Sequence, residues 1–188
     1  MDTHLKKQWL YKERDECLRN EYLTSILPIG QHNKIYVDES GFNLNMQREY
    51  GYAKKSKRLL ADRSGKRGKR ITVIAARDNK NNLVVPMYFE GYTNSEVFNL
   101  WIKDFLLPEL KPNQVIIMDN ASFHKLKRTR ELIESVGCQL IYLPPYSPDL
   151  NPIEKKWAQV KSLYKKMTIH HEDKIRLIEE CLMKNMQG

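Results

Sequence analysis

The chain has 188 residues, of which 41% are hydrophobic and 10% aromatic, enough for one globular domain with a real core. No apolar run approaches the roughly 20 residues of a membrane helix, and the N-terminus lacks the apolar core of a signal peptide, so we expect a cytoplasmic protein. There are three cysteines, far apart in the sequence: Cys17, Cys138 and Cys181. Their odd number and wide spacing argue against a disulfide framework or a zinc module.

The net charge of +9 is concentrated in one basic stretch, residues 54–70. This stretch holds nine Lys or Arg and one Asp, so it carries +8 of the total. A run this dense is either a solvated face or a footprint for nucleic acid, and its two glycines favour a loop or hairpin that follows a phosphate backbone. We expect contacts to phosphates from Lys54, Lys55, Lys57, Arg58, Lys66, Arg67, Lys69 and Arg70.

The first half of the chain predicts a helix followed by three strands. Residues 4–27 show apolar side chains four apart between charges, the pattern of an amphipathic helix. "KIYVDES", from Lys34, is rich in β-branched and aromatic residues and predicts the first strand. "RITVIAARD" and "LVVPMYFEG" flank the turn-forming "NKNN", which predicts a hairpin.

The second half of the chain predicts alternating helices and strands. Residues 95–107 are apolar nearly all round and predict a buried helix ended by Pro108. "QVIIMDNASFH" predicts a central fourth strand, "KLKRTRELIESVG" a helix closed by Gly137, and "CQLIYLP" a fifth strand. Two helices follow, at 151 to about 166 and about 171 to 186, the second with one apolar face: Ile175, Ile178, Leu182 and Met186.

This order of elements predicts an α/β fold. Three strands in succession form an antiparallel meander, and the later strands join it through helical crossovers. We therefore expect one mixed five-stranded sheet with helices on both faces.

Acidic residues stand at the ends of two predicted strands. Asp38 ends the first strand and Asp119 the fourth, so if these strands are parallel neighbours both carboxylates emerge at one edge of the sheet, where α/β active sites collect. Glu154 arrives in the first turn of the helix after the fifth strand. Three converging carboxylates repel each other unless cations lie among them, and a pair of Mg²⁺ or Mn²⁺ ions suits such ligands.

Each acid also has a purely structural interpretation. An aspartate at a strand end can simply begin a turn. Asn151, Pro152 and Glu154 match a helix N-terminus with a capping box, in which Glu154 only starts the helix. Asp149, in the loop before that helix, can cap the helix or bind an ion.

Three neighbours of the aspartates are further candidates for the site. Glu39 is a weaker ligand than Asp38, because adjacent side chains on a strand point to opposite faces. His124, five residues after Asp119, either orients a phosphate or a metal-bound water or packs in the core, and Asn120 is counted with it as support for the site. No CxxC or HxxxH spacing lies nearby, which argues against zinc.

Three sequence blocks carry a resemblance to a known family. "YVDESGF", "IIMDNASFHK" and "LPPYSPDLNPIEKKW" resemble the signature blocks of the DDE transposases of the mariner-type superfamily, especially its bacterial insertion-sequence branch. The match runs from about residue 11 over nearly the whole chain. The 34 residues between Asp119 and Glu154 are the spacing typical of that branch.

The resemblance implies an RNase H-like catalytic domain over residues 31–188, preceded by an N-terminal helical linker segment over 1–30. It places the catalytic triad, which also binds the metal pair, on Asp38, Asp119 and Glu154. The implied activity is metal-dependent cleavage of DNA strands at transposon ends, followed by strand transfer into target DNA at a TA dinucleotide.

The resemblance also implies partners and leaves alternatives open. Besides transposon ends and target DNA, we expect a homodimer in the working complex, nucleoid association, and an upstream helix-turn-helix polypeptide, because "MDTHLKKQWLYKERDE" resembles the linker that follows such modules. One alternative is a catalytically inactive DNA-binding remnant. Another is an RNase H-like nuclease that cleaves RNA or junctions, although such an enzyme has no reason to carry "YSPDLNPIE".

Overall fold

The computed structural model describes residues 11–46, 56, 68–168 and 171–186. Five strands form one sheet in the order β3-β2-β1-β4-β5, in which β2 is antiparallel to β1 and β3, and β4 is parallel to β1 and β5. The mixed five-stranded sheet predicted from the sequence is confirmed. The strands are β1 Lys34–Asn43, β2 Arg70–Arg77, β3 Leu83–Glu90, β4 Val115–Met118 and β5 Gln139–Tyr142.

Helices cover both faces of this sheet, as expected. Alternate residues of β1 point to opposite sides, so Tyr36 and Phe42 join one apolar cluster while Ile35 and Val37 join another. The first cluster is completed by α4 and α5, and the second by α2 and α3. The helices are α1 Glu16–Ile26, α2 Ser95–Trp101, α3 Lys127–Glu134, α4 Ile153–Met167 and α5 Lys174–Met186.

The register between β1 and β4 positions the two aspartates. Val37 pairs with Met118, so Asp38 and Asp119 each follow the last paired residue of their strand. The prediction that both emerge at one edge of a parallel pair is therefore confirmed. Asp38 does not end its strand, however, because β1 continues to Asn43 through its pairing with β2. It stands where pairing with β4 stops.

The N-terminal helix is shorter than its periodicity predicts. It begins at Glu16, because the Asp15 carboxylate accepts hydrogen bonds from the backbone N–H groups of Cys17 and Leu18, at 2.8 and 3.2 Å. Residues 11–15 are not helical, and residues 1–10 lie outside the described part of the chain. An N-cap aspartate, not the apolar spacing, determines where α1 starts.

The helices of the second half also differ in detail from the prediction. After Trp101, α2 passes into a π-helical turn, Ile102–Leu106, and a 3-10 turn, Leu107–Glu109. Pro108 lies inside that last turn, at a position that needs no N–H donor. A separate 3-10 turn, Ser122–Lys125, precedes α3, and Gly137 lies beyond its end with a positive φ of 75°.

The apolar face of α5 is rotated from the predicted one. Leu177, Ile178, Cys181 and Leu182 are buried, whereas Ile175 and Met186 are exposed. The buried residues follow the helical period, and the two exposed ones lie at the flank of that face. No helix among the described residues is long and apolar enough to span a membrane.

Candidate active site

The three acids predicted to act together line one cleft. Asp38, Asp119 and Glu154 lie around a cavity of about 510 Å³, where pairing between β1 and β4 ends. Asn120 and Asn151 also line it, as does the loop before α4 from Leu143 to Pro148. The sheet register and the proline-rich loop thus bring together carboxylates that are far apart in sequence.

Asp38 is a buried acid with an unsatisfied oxygen. Its side chain is held at the sheet, with only 7% of the residue exposed. Oδ1 accepts the backbone N–H of Glu39 at 2.8 Å, but Oδ2 has no hydrogen-bond partner in the described part of the chain. Burial, and then the nearby charges of Glu154, Glu39 and Asp119, raise the pKa of Asp38 well above its ordinary value. This carboxyl group needs a proton or a cation.

Asp119 is the opposite case, a carboxylate stabilised in its charged form. Its Oδ1 accepts the Ala121 N–H at 3.0 Å and lies 2.6 Å from Nδ1 of His124. Burial by itself raises the pKa of Asp119, but the contacts with His124 and Ala121 outweigh it and lower the pKa below the ordinary value. The side chain is 48% exposed, so it remains accessible from the cleft.

Glu154 lies in the first turn of α4, exposed at the mouth of the cleft. Desolvation within the cleft raises its pKa, Lys161 opposes this, and the charge of Asp119 adds to it. Among the described residues the predicted capping box is absent: the N-cap position is Pro152, which makes no side-chain cap bond, and Oδ1 of Asn151 is buried without a hydrogen-bond partner. The turn is instead closed by the backbone, through a 3.1 Å bond from Glu154 N–H to the Asn151 carbonyl. The Glu154 side chain is therefore not committed to starting the helix.

A lysine that the sequence analysis did not single out lies beside these acids. Lys161 stands seven residues after Glu154 on α4, and its Nζ lies 5.7 Å from the ring centroid of Phe42. Burial lowers the pKa of Lys161, while Glu154 and Asp38 raise it and Arg70 lowers it further. A spacing of seven residues places the side chains of Glu154 and Lys161 on the same face of the helix. From this spacing, the sequence alone could have identified Lys161 as a neighbour of Glu154.

His124 is buried between aromatic rings and joins two acids. Its ring centroid lies 4.2 Å from that of Phe98 and 4.3 Å from that of Phe123. Nε2 is hydrogen-bonded to Glu39 Oε1 at 2.9 Å, whereas Nδ1 meets Asp119 as an ion-pair contact, without an aligned hydrogen bond. Burial favours the neutral ring, but Asp119 and Glu39 outweigh it and raise the pKa of His124 to about 9.

Asp149 is held by the N-terminal helix, so it neither caps α4 nor lines the cleft. Its two oxygens accept bonds from the Arg19 guanidinium at 2.9 and 2.7 Å. This bidentate pair lowers the pKa of Asp149. Nearby, the rings of Tyr11 and Tyr146 lie 6.0 Å apart, and both residues line the cleft. The N-terminal segment therefore packs on the loop that leads to Glu154.

Within the basic stretch, the structure describes only Ser56 and residues 68–70. Lys69 pairs with Glu90 at 3.0 Å on the surface, and the Arg70 guanidinium lies 4.6 Å from the ring centroid of Tyr92. The other predicted phosphate contacts lie outside the described residues: Lys54, Lys55, Lys57, Arg58, Lys66 and Arg67.

The donor set fits a hard divalent cation, although the side chains are not yet gathered around one. Carboxylate oxygens are the ligands that Mg²⁺ and Mn²⁺ prefer, and Oδ2 of Asp38 is a buried oxygen that lacks any partner in the described part of the chain. Within the described ranges, no three His, Cys, Asp or Glu side chains are grouped closely enough to hold an ion. Binding would thus require at least one acid of the cleft to turn toward a shared centre.

The family follows from the sequence match. A family model described as a DDE superfamily endonuclease matches residues 33–178, which include all three acids of the cleft. The chain belongs to the DDE superfamily of endonucleases. The resemblance deduced from the three sequence blocks is confirmed at this level. No curated protein matches the chain.

Solved structures share the fold of this DDE endonuclease. The mariner Mos1 paired-end complex with Mg has a TM-score of 0.64 at 16% identity, over 99% of this chain and 67% of that one. The Mos1 transposase catalytic domain with raltegravir and Mg has a TM-score of 0.52 at 16% identity, covering 96% and 99%. A simian T-cell lymphotropic virus intasome gives 0.54 at 13% identity, covering 81% and 48%. The fold is RNase H-like, as expected.

Proposed function

We propose that this DDE endonuclease is the catalytic domain of a transposase that cleaves DNA at transposon ends and joins them to target DNA. The observation that carries the proposal is the convergence of Asp38, Asp119 and Glu154 on one cleft, with an unpaired buried oxygen on Asp38. In the first reaction, water attacks a phosphodiester and the bond to the 3′ oxygen breaks. In the second, the resulting 3′-hydroxyl attacks a phosphodiester of the target strand at a TA dinucleotide, and the bond from that phosphorus to the 3′ oxygen of the target strand breaks.

The three acids are proposed to hold a pair of Mg²⁺ or Mn²⁺ ions. Mos1 complexes with Mg and with Mn support this choice. Bound ions supply Lewis-acid activation of the nucleophile and stabilisation of the leaving oxygen. Asp38 offers an oxygen with no competing partner among the described residues, and Asp119 offers Oδ2, because its Oδ1 is already engaged. Glu154 closes the site from the solvent side, where a DNA phosphate enters.

Lys161 is proposed to contact the phosphate next to the scissile bond. It is a cation beside two of the acids, and a bound phosphodiester adds negative charge at that point. Asn120 lines the same cleft and can donate to a phosphate oxygen. His124 is fully buried and does not line the cleft, so direct contact with phosphate is not proposed for it.

The partners proposed for the chain follow from its relatives and its charge. Mos1 structures include a complex with the left transposon end and a strand transfer complex, which supports transposon ends and target DNA as substrates. We further propose a homodimer as the working form, an upstream helix-turn-helix polypeptide that reads the ends, membership of the bacterial insertion-sequence branch, and association with the nucleoid. The basic stretch, 54–70, is proposed to bind the DNA backbone.

Cleavage of DNA substrates tests the proposed function. Purified protein with Mg²⁺ should nick duplexes that carry the element's own ends, and EDTA should stop it. Asp119→Asn is nearly isosteric and should keep the fold while cleavage falls to background; Asp104→Asn, an exposed aspartate on the π-helical turn, is the matched control. DNA binding without cleavage by the unmodified protein would identify an inactive remnant. Preferential cleavage of an RNA–DNA hybrid would identify a different nuclease.

A further inference from the structure

We infer that Glu39 and His124 form a buried positioning pair that fixes the Asp119 carboxylate for metal binding. The inference rests on the proposed function, in which Asp119 is a ligand. Neither residue is proposed to touch an ion or the DNA.

His124 contacts Glu39 through one ring nitrogen and Asp119 through the other. Glu39 Oε1 bonds to Nε2 of His124 at 2.9 Å, and Nδ1 of the same ring lies 2.6 Å from Asp119 Oδ1. Glu39 immediately follows Asp38 on β1, Asp119 directly follows β4, and His124 lies within the 3-10 turn beyond it. The pair therefore couples the two segments that carry the aspartates of the cleft.

The surroundings of His124 restrict the orientation of its ring. The ring is 0% exposed and is packed against Phe98 and Phe123. The backbone carbonyl of His124 accepts the Tyr142 hydroxyl at 2.8 Å, which ties the turn to β5. A ring fixed in this way presents Nδ1 at a constant place, so the Asp119 carboxylate rotates little about its own bonds.

The pair also determines which oxygen of Asp119 is free. Oδ1 accepts the Ala121 N–H and lies in ion-pair contact with Nδ1 of His124, so Oδ2 is the oxygen left for a ligand. Partners outside the ligand shell that hydrogen-bond a ligand fix its orientation, and their loss commonly weakens metal binding by about 10-fold to 100-fold. Glu39 is engaged with His124, and its side chain points to the opposite face of β1 from Asp38. It is therefore not available as a metal ligand.

The test compares metal binding with metal-dependent cleavage in full-length variants. Mn²⁺ binding to the DNA complex, followed by electron paramagnetic resonance, supplies a readout that does not depend on turnover. For His124→Phe we expect Mn²⁺ affinity to fall about 10-fold or more, with the metal concentration for half-maximal cleavage rising in parallel. Metal-free DNA affinity should stay unchanged.

Glu39→Gln separates positioning from ligation. Glutamine still accepts a hydrogen bond from Nε2 of His124, so Mn²⁺ affinity should stay within about threefold of the unmodified protein. If Glu39 were itself a ligand, this substitution would abolish binding as Asp119→Asn does, and the inference would be overturned. His124→Phe with unmodified Mn²⁺ affinity would overturn it equally.

Two further variants guard against a general loss of stability. Thr129→Val removes another buried hydrogen bond, from Thr129 Oγ1 to Asn99 at 2.9 Å, away from the cleft, and should leave Mn²⁺ affinity unchanged.

Glu39→Leu combined with His124→Phe replaces both polar partners and is expected to fold even where His124→Phe alone does not, because no buried charge is left unpaired. Its Mn²⁺ affinity should match that of His124→Phe, since Glu39 acts only through His124; a clearly larger loss in the double variant would contradict the inference. An unmodified protein that neither binds Mn²⁺ nor cleaves DNA would instead remove the proposed function.

Discussion

The carboxyl group of Asp38, a residue of the candidate site, lowers the stability of the folded protein. It is buried, lacks a partner for Oδ2 in the described part of the chain and lies near three other acids, so its charged form is disfavoured in the folded protein. A group whose pKa is raised on folding contributes stability below its unfolded pKa, and that contribution is lost as the pH rises through the folded pKa. In the metal-free protein, the Asp38 carboxylate thus destabilises the folded state most at neutral and alkaline pH.

Asp38→Asn should therefore stabilise the metal-free protein while it abolishes cleavage. In EDTA at pH 8, we expect the free energy of unfolding to rise by about 1 kcal/mol or more. This increase should shrink as the pH falls and vanish well below the ordinary aspartate pKa of 3.8, where Asp38 is as neutral as the asparagine in both the folded and the unfolded protein. Urea unfolding at several pH values measures this difference. A variant that is less stable at pH 8 would show that the Asp38 charge is compensated.

Lys161 provides a second prediction at the scale of one side chain. Lys161→Gln should lower kcat/KM for DNA cleavage by about tenfold or more, because a charge-assisted contact with phosphate contributes roughly 1.5–3 kcal/mol. Lys166→Gln, an exposed lysine on the same helix, is the matched control and should behave like the unmodified protein. Equal losses in the two variants would indicate a general charge effect instead of a specific contact.

Among the elements, α1 and the loop before α4 act together. Arg19 and Asp149 are 11% and 18% exposed at their side chains, and their bidentate pairing joins residues 130 positions apart. The loop held by this pair lines the cleft and leads directly into the first turn of α4. The N-terminal helix is therefore more than a spacer, because it constrains the segment that delivers Glu154.

Arg19→Ala should loosen that loop. The loss of a charge-assisted bidentate pair should cost about 1.5–3 kcal/mol of unfolding free energy and increase hydrogen exchange over residues 143–152. Arg130→Ala breaks an exposed pair with Glu134 on α3 and should cost only about 0.3–0.5 kcal/mol without altering exchange in the loop. Exchange in the loop that is unaffected by Arg19→Ala would show that the prolines alone fix its path.

The same contacts show what sequence patterns can and cannot predict. Strand and helix patterns predicted one mixed five-stranded sheet, in which Asp38 and Asp119 share an edge if the first and fourth strands are parallel neighbours; the structure meets that condition. Some pairings depend on tertiary structure and leave no local pattern in the sequence. The hydrogen bond between Glu39 and His124, which lie 85 residues apart, is one of them. Helix starts were missed for a different reason, because a single capping side chain such as Asp15 outweighs the apolar period.

For the whole molecule, the uneven charge predicts how it binds DNA. Residues 54–70 carry +8 of the net +9, so binding by this chain alone should be largely electrostatic and non-specific, with a Kd of about 10⁻⁴ to 10⁻⁶ M at physiological salt. Element ends and random duplex should compete equally, because phosphate contacts carry no direct sequence information. A hundredfold preference for the ends would reveal a base-reading surface within these residues.

Salt dependence tests the basic stretch itself. The variant replaces four of its cations by Gln: Lys66, Arg67, Lys69 and Arg70. The slope of log K against log salt should then fall by about 0.9 for each DNA phosphate that is no longer neutralised. The control removes four exposed cations elsewhere, with the same change in net charge: Lys80, Lys103, Lys127 and Lys184. An unchanged slope in the first variant would mean that the stretch is a solvated loop.

The central claim is that Asp38, Asp119 and Glu154 together hold the catalytic metal pair. A crystal structure of the protein bound to a transposon-end duplex in Mn²⁺, with anomalous scattering to locate the ions, tests it most directly. We predict two ions about 3.5–4 Å apart, with oxygen ligands from all three side chains and from the scissile phosphate. Ions bound elsewhere, or any one of the three carboxylates facing away from both ions, would contradict the claim.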